Sequence, residues 1–350
     1  MTSNSYTFAL VGYGGMGKQH KKVLQTIDRA HIAGTFDINK QRQEDANNDG
    51  LHTYTSFNEL VSDDSIDIVL IATPNDSHKD IAIDAMKAGK HVICEKPVTL
   101  NSKELEEILD AAKQYDKVFA VHQNRRWDED YLVMKKLYDE GVLGDVFHVE
   151  SRVHGSRGIP GDWRHEKAYG GGMLLDWGVH LLDRLVLLIP EKIKSIYCHL
   201  SYVLGNEVDD GFRMQVSFES GKTALVEVGT SNYISLPLWY MTGTNGAATI
   251  HDWSMNGKVV TVTKHEDHDA TPIEAGAGLT KTMAPRGELS TQDTPLPRIK
   301  TDIRDFYDNV MKVIEGKEDP IVKNEEVMRI MKLMEAAFLS HKTNSVIDFE

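Results

Sequence analysis

The chain has 350 residues, of which 53 are Asp or Glu and 39 are Lys or Arg, so its formal net charge is −14. This length is enough for two domains with their own cores, and the acidic balance disfavours a nucleic-acid-binding protein. No apolar run approaches the roughly 18 residues that span a bilayer, and the N-terminus lacks the pattern of a signal peptide. The two cysteines, Cys94 and Cys198, indicate no disulfide framework, so we expect a cytoplasmic protein.

A short apolar run leads into a glycine-rich turn at the start of the chain. Residues 6–11 are typical of a buried strand, residues 12–17 match G-x-G-x-x-G, and residues 18–27 are typical of a helix. In such a turn the first glycine allows a tight bend, the second lets the backbone approach a pyrophosphate, and the third lets helix and strand pack closely. The pattern therefore predicts a dinucleotide-binding turn made by Gly12, Tyr13, Gly14, Gly15, Met16 and Gly17.

An acidic residue follows the second predicted strand. Residues 32–36 are typical of a strand, and Asp37 comes directly after it, twenty residues beyond Gly17. A carboxylate at this place accepts hydrogen bonds from the adenosine ribose and repels a 2′-phosphate. We therefore expect NAD(H) to be preferred, although Lys40 and Arg42 are close in sequence and leave NADP(H) open.

Predicted strands and helices alternate up to residue 124, which indicates a parallel sheet with ligands at the carboxyl ends of its strands. Three strands are predicted at residues 66–72, 91–94 and 118–121. His78 is equally compatible with a packing role, but it shares the segment TPNDSH after the first of these strands. The residues that follow the strands complete the predicted cofactor site: Thr73, Pro74, Asn75, His78, Glu95 and Lys96.

The pattern changes after residue 124 to strands that hairpin turns connect. Strands are predicted at residues 146–153, 193–203, 212–218, 224–230, 238–242, 247–251 and 259–263, and two helices close the chain. We predict an α/β chain with a Rossmann domain over residues 1–124 and an α+β domain over residues 125–350 that carries a large, mostly antiparallel open sheet. One face of that sheet needs a cover, so we expect a homodimer or homotetramer.

The segment GGGMLLDWGVHLLD, residues 170–183, predicts a mostly buried helix with a narrow polar stripe. Asp176 and His180 are four residues apart and would share one helix face. An isolated pair of this kind is an ordinary helix contact worth about 0.5 kcal/mol, but a buried polar stripe needs a partner. One Asp and one His are too few ligands for a zinc site.

The segment HEDHD at residues 265–269 has the composition of a metal site. It lies in a polar stretch that runs to about residue 300 and is rich in Gly, Pro, Thr and Asp. A solvated loop accounts for this composition better than a bound ion, so we predict no metal ligand in the chain.

Four motifs, GYGGMG, ATPNDSH, HVICEKPV and GGGMLLDWGVH, resemble in order and spacing the glucose-fructose oxidoreductase/inositol dehydrogenase/rhizopine-catabolism (Gfo/Idh/MocA) family. The resemblance covers nearly the whole chain. It implies a Rossmann domain followed by an α/β domain whose open sheet serves assembly, tightly held NAD(H) or NADP(H), and redox chemistry at a sugar or polyol carbon. Position by position, the catalytic lysine, aspartate and histidine of the family correspond to Lys96, Asp176 and His180.

These residue types suit hydride transfer from a secondary alcohol. His180 would accept the hydroxyl proton, Asp176 would orient the imidazole, and Lys96 would stabilise the reacting oxygen as hydride leaves for the nicotinamide. In the reverse direction the same groups would protonate a ketone.

Aromatic and arginine side chains near the expected cleft are candidate contacts to a carbohydrate or polyol, because they can stack on and hydrogen-bond to it. We assign this role to Arg126, Trp163 and Arg164. Two alternatives to a dehydrogenase stay open: a redox-neutral sugar-modifying enzyme that recycles tightly bound NAD, and a non-catalytic dinucleotide-binding sensor.

Overall fold

The computed structural model describes residues 4–264, 271–284, 286 and 290–350. Described residues 4–121 contain a five-stranded sheet with the order β2-β1-β3-β4-β5 in which all neighbouring strands are parallel. Its strands are β1 (Tyr6–Val11), β2 (Ala30–Phe36), β3 (Ile68–Ile71), β4 (His91–Cys94) and β5 (Phe119–Val121). Its helices are α1 (Gly15–Leu24), α2 (Lys40–Asn48), α3 (Phe57–Val61), α4 (His78–Lys87) and α5 (Ser102–Gln114). The predicted Rossmann architecture is confirmed.

The strand order reverses between β1 and β3, which creates a crevice beyond the carboxyl ends of these two strands. The glycine turn at residues 12–17 follows β1, and the segment at residues 72–78 follows β3. Ligands of doubly wound sheets bind at such a switch point. The fold therefore brings two of the predicted cofactor-binding segments to one place.

The second part of the chain builds a nine-stranded sheet within the described residues, with the order β15-β12-β11-β10-β6-β9-β8-β7-β16. Helix α6 (Glu129–Asp139) comes first, and α7 (Val179–Leu188) separates the first two strands. The strands are β6 (Val146–His154), β7 (Ile193–Ser201), β8 (Gly211–Phe218), β9 (Thr223–Gly229), β10 (Trp239–Gly243), β11 (Gly246–Ile250), β12 (Gly257–Val262), β15 (Thr291–Pro295) and β16 (Ile347–Asp348), with a separate hairpin of β13 (Ile273–Ala275) and β14 (Gly278–Thr280).

The predicted mostly antiparallel open sheet is confirmed, with one exception to the hairpin pattern. Strands β6 and β9 run parallel, because the chain crosses over through α7 and the β7-β8-β9 meander before it returns beside β6. One face of the sheet packs against α6, α7 and the last helix, α9 (Asn324–Thr343). The other face is open and carries exposed side chains such as Arg213 and Tyr240.

The two closing helices return to the first part of the chain. Helix α8 (Arg304–Ile314) packs on α1, and α9 packs on α5, where Glu335 accepts hydrogen bonds from the backbone and hydroxyl of Ser102. The buried apolar residues form one continuous cluster through both parts. The boundary at residue 124 thus remains a prediction, since α8 and α9 pack on the first part of the chain although they follow the second part in sequence.

The polar stretch after residue 264 is only partly described. The histidine-rich residues 265–269 lie outside the described residues. The described residues from 271 to 295 are not all loop, because β13 and β14 form a hairpin and β15 joins the edge of the large sheet. Among the described residues, no helix combines the length and apolar character needed to cross a bilayer.

Candidate active site

The glycine turn after β1 leaves room for a ligand. Gly12 has a φ of +96°, and a Cβ at Gly17 would lie 2.2 Å from the Gly12 oxygen, so both positions need glycine. At Gly14 the flexible guanidinium of Arg42 lies 3.3 Å from the position of a Cβ, whereas a Cβ at Gly15 would meet no atom within 4 Å. Helix α1 begins at Gly15 without a side chain to cap it, so its first backbone N–H groups are available to a phosphate.

A cavity of about 300 Å³ lies beside this turn at the switch point. Asp37 is buried there, and its carboxylate accepts hydrogen bonds from the backbone N–H of Tyr13 at 2.7 Å and of Asn39 at 2.8 Å. Arg42 Nη1 lies 3.7 Å from Asp37 Oδ2. The side chain of Tyr13 is buried, and its hydroxyl donates to Asp49 Oδ2 at 2.7 Å, so it does not face the cavity. The cavity lining includes Gly12, Asp37, Arg42, Thr73, Pro74 and Ser77.

His78 ties two strand ends together and is not exposed to the cavity. Its Nε2 lies 2.9 Å from the carbonyl oxygen of Thr73, and its Nδ1 lies 3.2 Å from that of Pro97. The side chain is fully buried, so the structure favours the packing role over the predicted contact with the cofactor. Asn75 likewise joins the two parts of the chain, because its amide donates to the carbonyl oxygen of Gly170 at 3.0 Å.

Glu95 belongs to a buried polar cluster that the sequence did not reveal. Its Oε1 lies 2.8 Å from His20 Nε2 and 2.9 Å from His122 Nδ1, and its Oε2 accepts the backbone N–H of Lys96 at 3.1 Å. His20 Nδ1 lies 2.6 Å from the hydroxyl of Tyr307. The spacing of the two imidazoles and the carboxylate would suit a metal ion, but these atoms already bond directly to one another. Glu95 thus anchors the turn that carries Lys96 rather than facing a cofactor.

Acid should destabilise the protein through its buried histidines. Burial lowers the pKa of His20 and of His78 from the ordinary value of 6.5. A histidine with a lower pKa in the folded state binds fewer protons when folded, so stability is lost as the pH falls below 6.5. We expect the free energy of unfolding to fall by up to about 1.4 kcal/mol per pH unit for each of these residues.

Urea unfolding at pH 7.5 and pH 5.5 measures this loss. His78→Asn should reduce the dependence on pH, whereas His31→Asn, at an exposed position of β2, should leave it as in the unaltered chain. An equal or greater free energy of unfolding at pH 5.5 would contradict the prediction.

Lys96 and Asp176 meet across the two parts of the chain. Lys96 Nζ lies 3.2 Å from Asp176 Oδ1 and 3.2 Å from the carbonyl oxygen of the same residue. Arg164 Nε lies 3.2 Å from Asp176 Oδ2. Burial alone would raise the pKa of Asp176, but the two cations together hold it below its usual value. An anionic carboxylate therefore fixes the ammonium group of Lys96 between the two sheets.

The helix that carries Asp176 starts differently from the prediction. Gly170 and Gly172 have φ values of +73° and +102°, so the glycine triplet is a turn that precedes the helix. Residues Leu174–Gly178 then form a π-helical turn that continues as α7. Asp209 Oδ2 accepts the N–H of Leu174 at 2.8 Å and caps this start. A π turn bonds residue i to i+5, so residues four apart no longer lie directly above one another, and such turns are frequent at functional sites.

The predicted Asp176–His180 hydrogen bond is not formed among the described residues. Both carboxylate oxygens of Asp176 contact cations instead, and His180 Nδ1 is buried with no hydrogen-bond partner in the described part of the chain. Burial, with Lys96 and Arg125 next in effect, holds the pKa of His180 well below 6.5. The imidazole is therefore neutral at pH 7. Its unpaired nitrogen is an exception to the rule that buried polar atoms find partners.

Arg126, predicted to contact substrate, is occupied by structural ion pairs. Its Nε and Nη2 contact the carboxylate of Asp183 at 2.8 and 2.6 Å, and its Nη1 contacts Glu326 at 2.7 Å. The residue is buried, so the structure does not bring it to the cleft. Trp163 stacks on Arg164, whose guanidinium carbon lies 4.6 Å from its ring centre. Among these predicted contacts, Arg164 is thus the one that touches a predicted catalytic residue.

A cavity of about 670 Å³ opens beside Asp176, and its lining includes Trp253, which the sequence did not single out. The guanidinium carbon of Arg125 lies 4.3 Å from the ring centre of Trp177 and 5.4 Å from that of Trp253. Trp253, in the turn after β11, is half exposed. Neither its position in the chain nor its neighbours indicated this role. The lining includes Arg125, His154, Arg157, Asp176, Trp177, Thr230 and Trp253.

Both parts of the chain match known protein families. A model described as oxidoreductase family, NAD-binding Rossmann fold, matches residues 6–123, and a GFO/IDH/MocA C-terminal domain model matches residues 131–249. The chain is 30% identical over 310 residues to an uncharacterized oxidoreductase of Schizosaccharomyces pombe, covering 84% of each protein. It is 25% identical to scyllo-inositol 2-dehydrogenase (NADP(+)) of Bacillus subtilis, covering 97% of this chain and 95% of that protein. A solved structure of an NAD-binding protein from Listeria innocua is 50% identical, with a TM-score of 0.96 over 99% of both chains.

Proposed function

This chain belongs to the Gfo/Idh/MocA family of oxidoreductases, and from this premise we propose that it transfers hydride between a nicotinamide and a secondary hydroxyl or ketone of a sugar, glycoside or cyclitol. The observation that carries the proposal is the contact of Lys96 with Asp176 at 3.2 Å. It joins the cofactor-binding sheet to a cavity of substrate size. The inositol dehydrogenase among the relatives supports the polyol class of substrate.

The residues of the first sheet fit a dinucleotide. The open space at Gly15 and the N–H groups at the start of α1 would receive the pyrophosphate, and Asp37 would face the ribose. Bound nicotinamide would supply the hydride acceptor or donor. We propose NAD(H) as the preferred form because of Asp37. Arg42 beside it, and a relative named for NADP(+), keep NADP(H) as the second candidate.

The chain's own groups would handle the proton and the charge. His180 is neutral, so it can accept the hydroxyl proton as hydride departs. Lys96 would donate a hydrogen bond to the reacting oxygen and stabilise its alkoxide character. Asp176, with Arg164, holds the Lys96 ammonium in place and keeps its charge balanced. In this mechanism Asp176 acts on Lys96, which replaces its predicted role as the partner of His180.

We also propose that a second copy of the chain covers the open face of the large sheet, as a homodimer or as half of a homotetramer. Tyr240 on β10 is 37% exposed on this face, beside a row of ion pairs from Arg152 to Glu227 and on to Arg213. A surface that combines a large aromatic with matched charges on a regular sheet is suited to association with a copy of itself.

Native mass spectrometry and a substrate panel test the proposed function. The purified protein should carry or bind a dinucleotide and have a mass of two or four chains. With NAD or NADP, at least one sugar or polyol should change the nicotinamide absorbance. Turnover without a net change in absorbance would instead indicate the redox-neutral alternative. A protein that binds NAD and converts no panel member would favour the sensor.

A further inference from the structure

The charged groups around the larger cavity are almost all paired with one another. Lys96 and Arg164 share the carboxylate of Asp176, and Arg164 Nη1 also contacts Asp162 Oδ2 at 2.8 Å. Lys96 and Arg164 are therefore balanced by two carboxylates, of which Asp176 lines the cavity.

The same balance holds around Arg125, which also lines the cavity. Arg125 Nη1 lies 2.8 Å from Asp128 Oδ2, and the buried Arg184 lies 3.2 Å from Asp130 Oδ2 and 3.5 Å from Asp128 Oδ2. These arginines already have carboxylate partners within the protein. They can shape the cavity and stack on a ring, but they leave no net charge for a ligand to neutralise.

Arg157 is the exception among the described residues that line the cavity. It has no hydrogen bond or ion pair with any described residue, and it is exposed to the cavity. Its segment is nevertheless held in place, because the N–H of Gly155 donates to the oxygen of Gly229 at 2.8 Å and the N–H of Gly158 donates to that of Thr230 at 3.0 Å. Both acceptors also line the cavity. The unpaired guanidinium is thus carried on a backbone that is fixed to the cavity wall.

We propose that Arg157 binds a carboxylate or phosphate of the substrate, so that the substrate is an acidic sugar or polyol. The chain as a whole carries a charge of −14, which repels anions at long range, so an anionic substrate needs a local cation to bind. A guanidinium can hold an oxyanion with two parallel hydrogen bonds. This inference rests on the proposed function for the reaction itself, but the binding of the anion does not depend on turnover.

Matched pairs of ligands test the inference with NAD-loaded protein. Glucose is compared with glucuronate and glucose 6-phosphate, and myo-inositol with an inositol monophosphate, by calorimetric binding and by turnover. We expect at least one acid to bind the unaltered chain more tightly than its neutral counterpart. Arg157→Gln should weaken that binding, and raise KM, about 10- to 100-fold with kcat little changed.

Two further variants sharpen the test. Arg157→Lys should restore part of the affinity because it keeps the charge. Arg298→Gln removes an exposed arginine outside the cavity lining and should change neither the affinity for the acid nor KM. Preference for the uronate or for the phosphates identifies which oxyanion is bound.

The results also separate the two proposals. Acids that bind through Arg157 without any hydride transfer would support this inference and contradict the dehydrogenase function. Turnover of the acids with the same kcat/KM in Arg157→Gln as in the unaltered chain would support the function and overturn this inference. A panel in which no acid binds better than its neutral counterpart would overturn it as well.

Discussion

Replacing His180 by Asn will lower kcat about 100- to 10,000-fold while the affinity for NAD stays nearly unchanged, which is the range expected for the loss of a general base. The imidazole is neutral because its pKa lies well below 6.5, so in the unaltered chain kcat should be constant near pH 7 and fall only in acid. Asparagine is close in size and polar, so the buried site stays filled. Steady-state kinetics and NAD titration of the variant, with a substrate from the polyol panel, give both quantities.

The matched control is His31→Asn, because His31 lies on β2 of the nucleotide-binding sheet but is exposed. Its kcat should equal that of the unaltered chain. If His180→Asn keeps more than a tenth of kcat, then His180 is not the base, and its unpaired Nδ1 needs another explanation. A loss of NAD binding in parallel with kcat would point to a packing role instead.

Local sequence was enough to predict the Rossmann sheet and the backbone of its glycine turn. Glycine is needed at Gly12 and Gly17 because of the backbone conformation and backbone contacts around the turn between β1 and α1. The spacing of glycines in the sequence is therefore enough to predict this turn. Asp37 comes at the end of the next strand, and its place is set by the same unit. The alternation of strands and helices likewise indicated the parallel sheet, and hairpin spacing indicated most of the antiparallel one.

Pairings between distant residues could not be predicted from the sequence. Arginine is a residue type that can contact a substrate, and for this reason Arg126 was predicted to do so. Its guanidinium instead binds Asp183 and Glu326, which are 57 and 200 residues away in the sequence. Glu95 appears beside Lys96 in the motif, yet its role depends on His20, which reaches it from α1. Such pairings are decided by tertiary packing, which composition and periodicity do not record.

The start of the helix that leads into α7 was also not predictable from residue spacing. The prediction treats residues 170–183 as one α-helix, in which Asp176 and His180, four residues apart, share a face. The glycine turn and the cap from Asp209 begin the helix with a π turn, which rotates the two side chains relative to each other. Asp176 therefore contacts Lys96 and Arg164 instead of His180.

Replacing Lys96 by Met will lower kcat about 100- to 1,000-fold, the range expected for removing one donor to a developing oxyanion. Methionine keeps much of the length of the side chain and removes its charge. The change also leaves Asp176 with only Arg164 as a cation partner, so the pKa of Asp176 should rise and the protein should lose stability at neutral pH. Kinetics at saturating NAD and thermal unfolding measure the two effects.

The double variant Lys96→Met/Asp176→Asn separates catalysis from stability. Removing the carboxylate together with the ammonium leaves no uncompensated buried anion, so most of the lost stability should return. The lost kcat should not return, because the donor to the reacting oxygen is still missing. Lys135→Met, which breaks an exposed ion pair with Asp139 on α6, is the matched control and should affect neither. Recovery of kcat with stability in the double variant would mean that Lys96 serves only to neutralise Asp176.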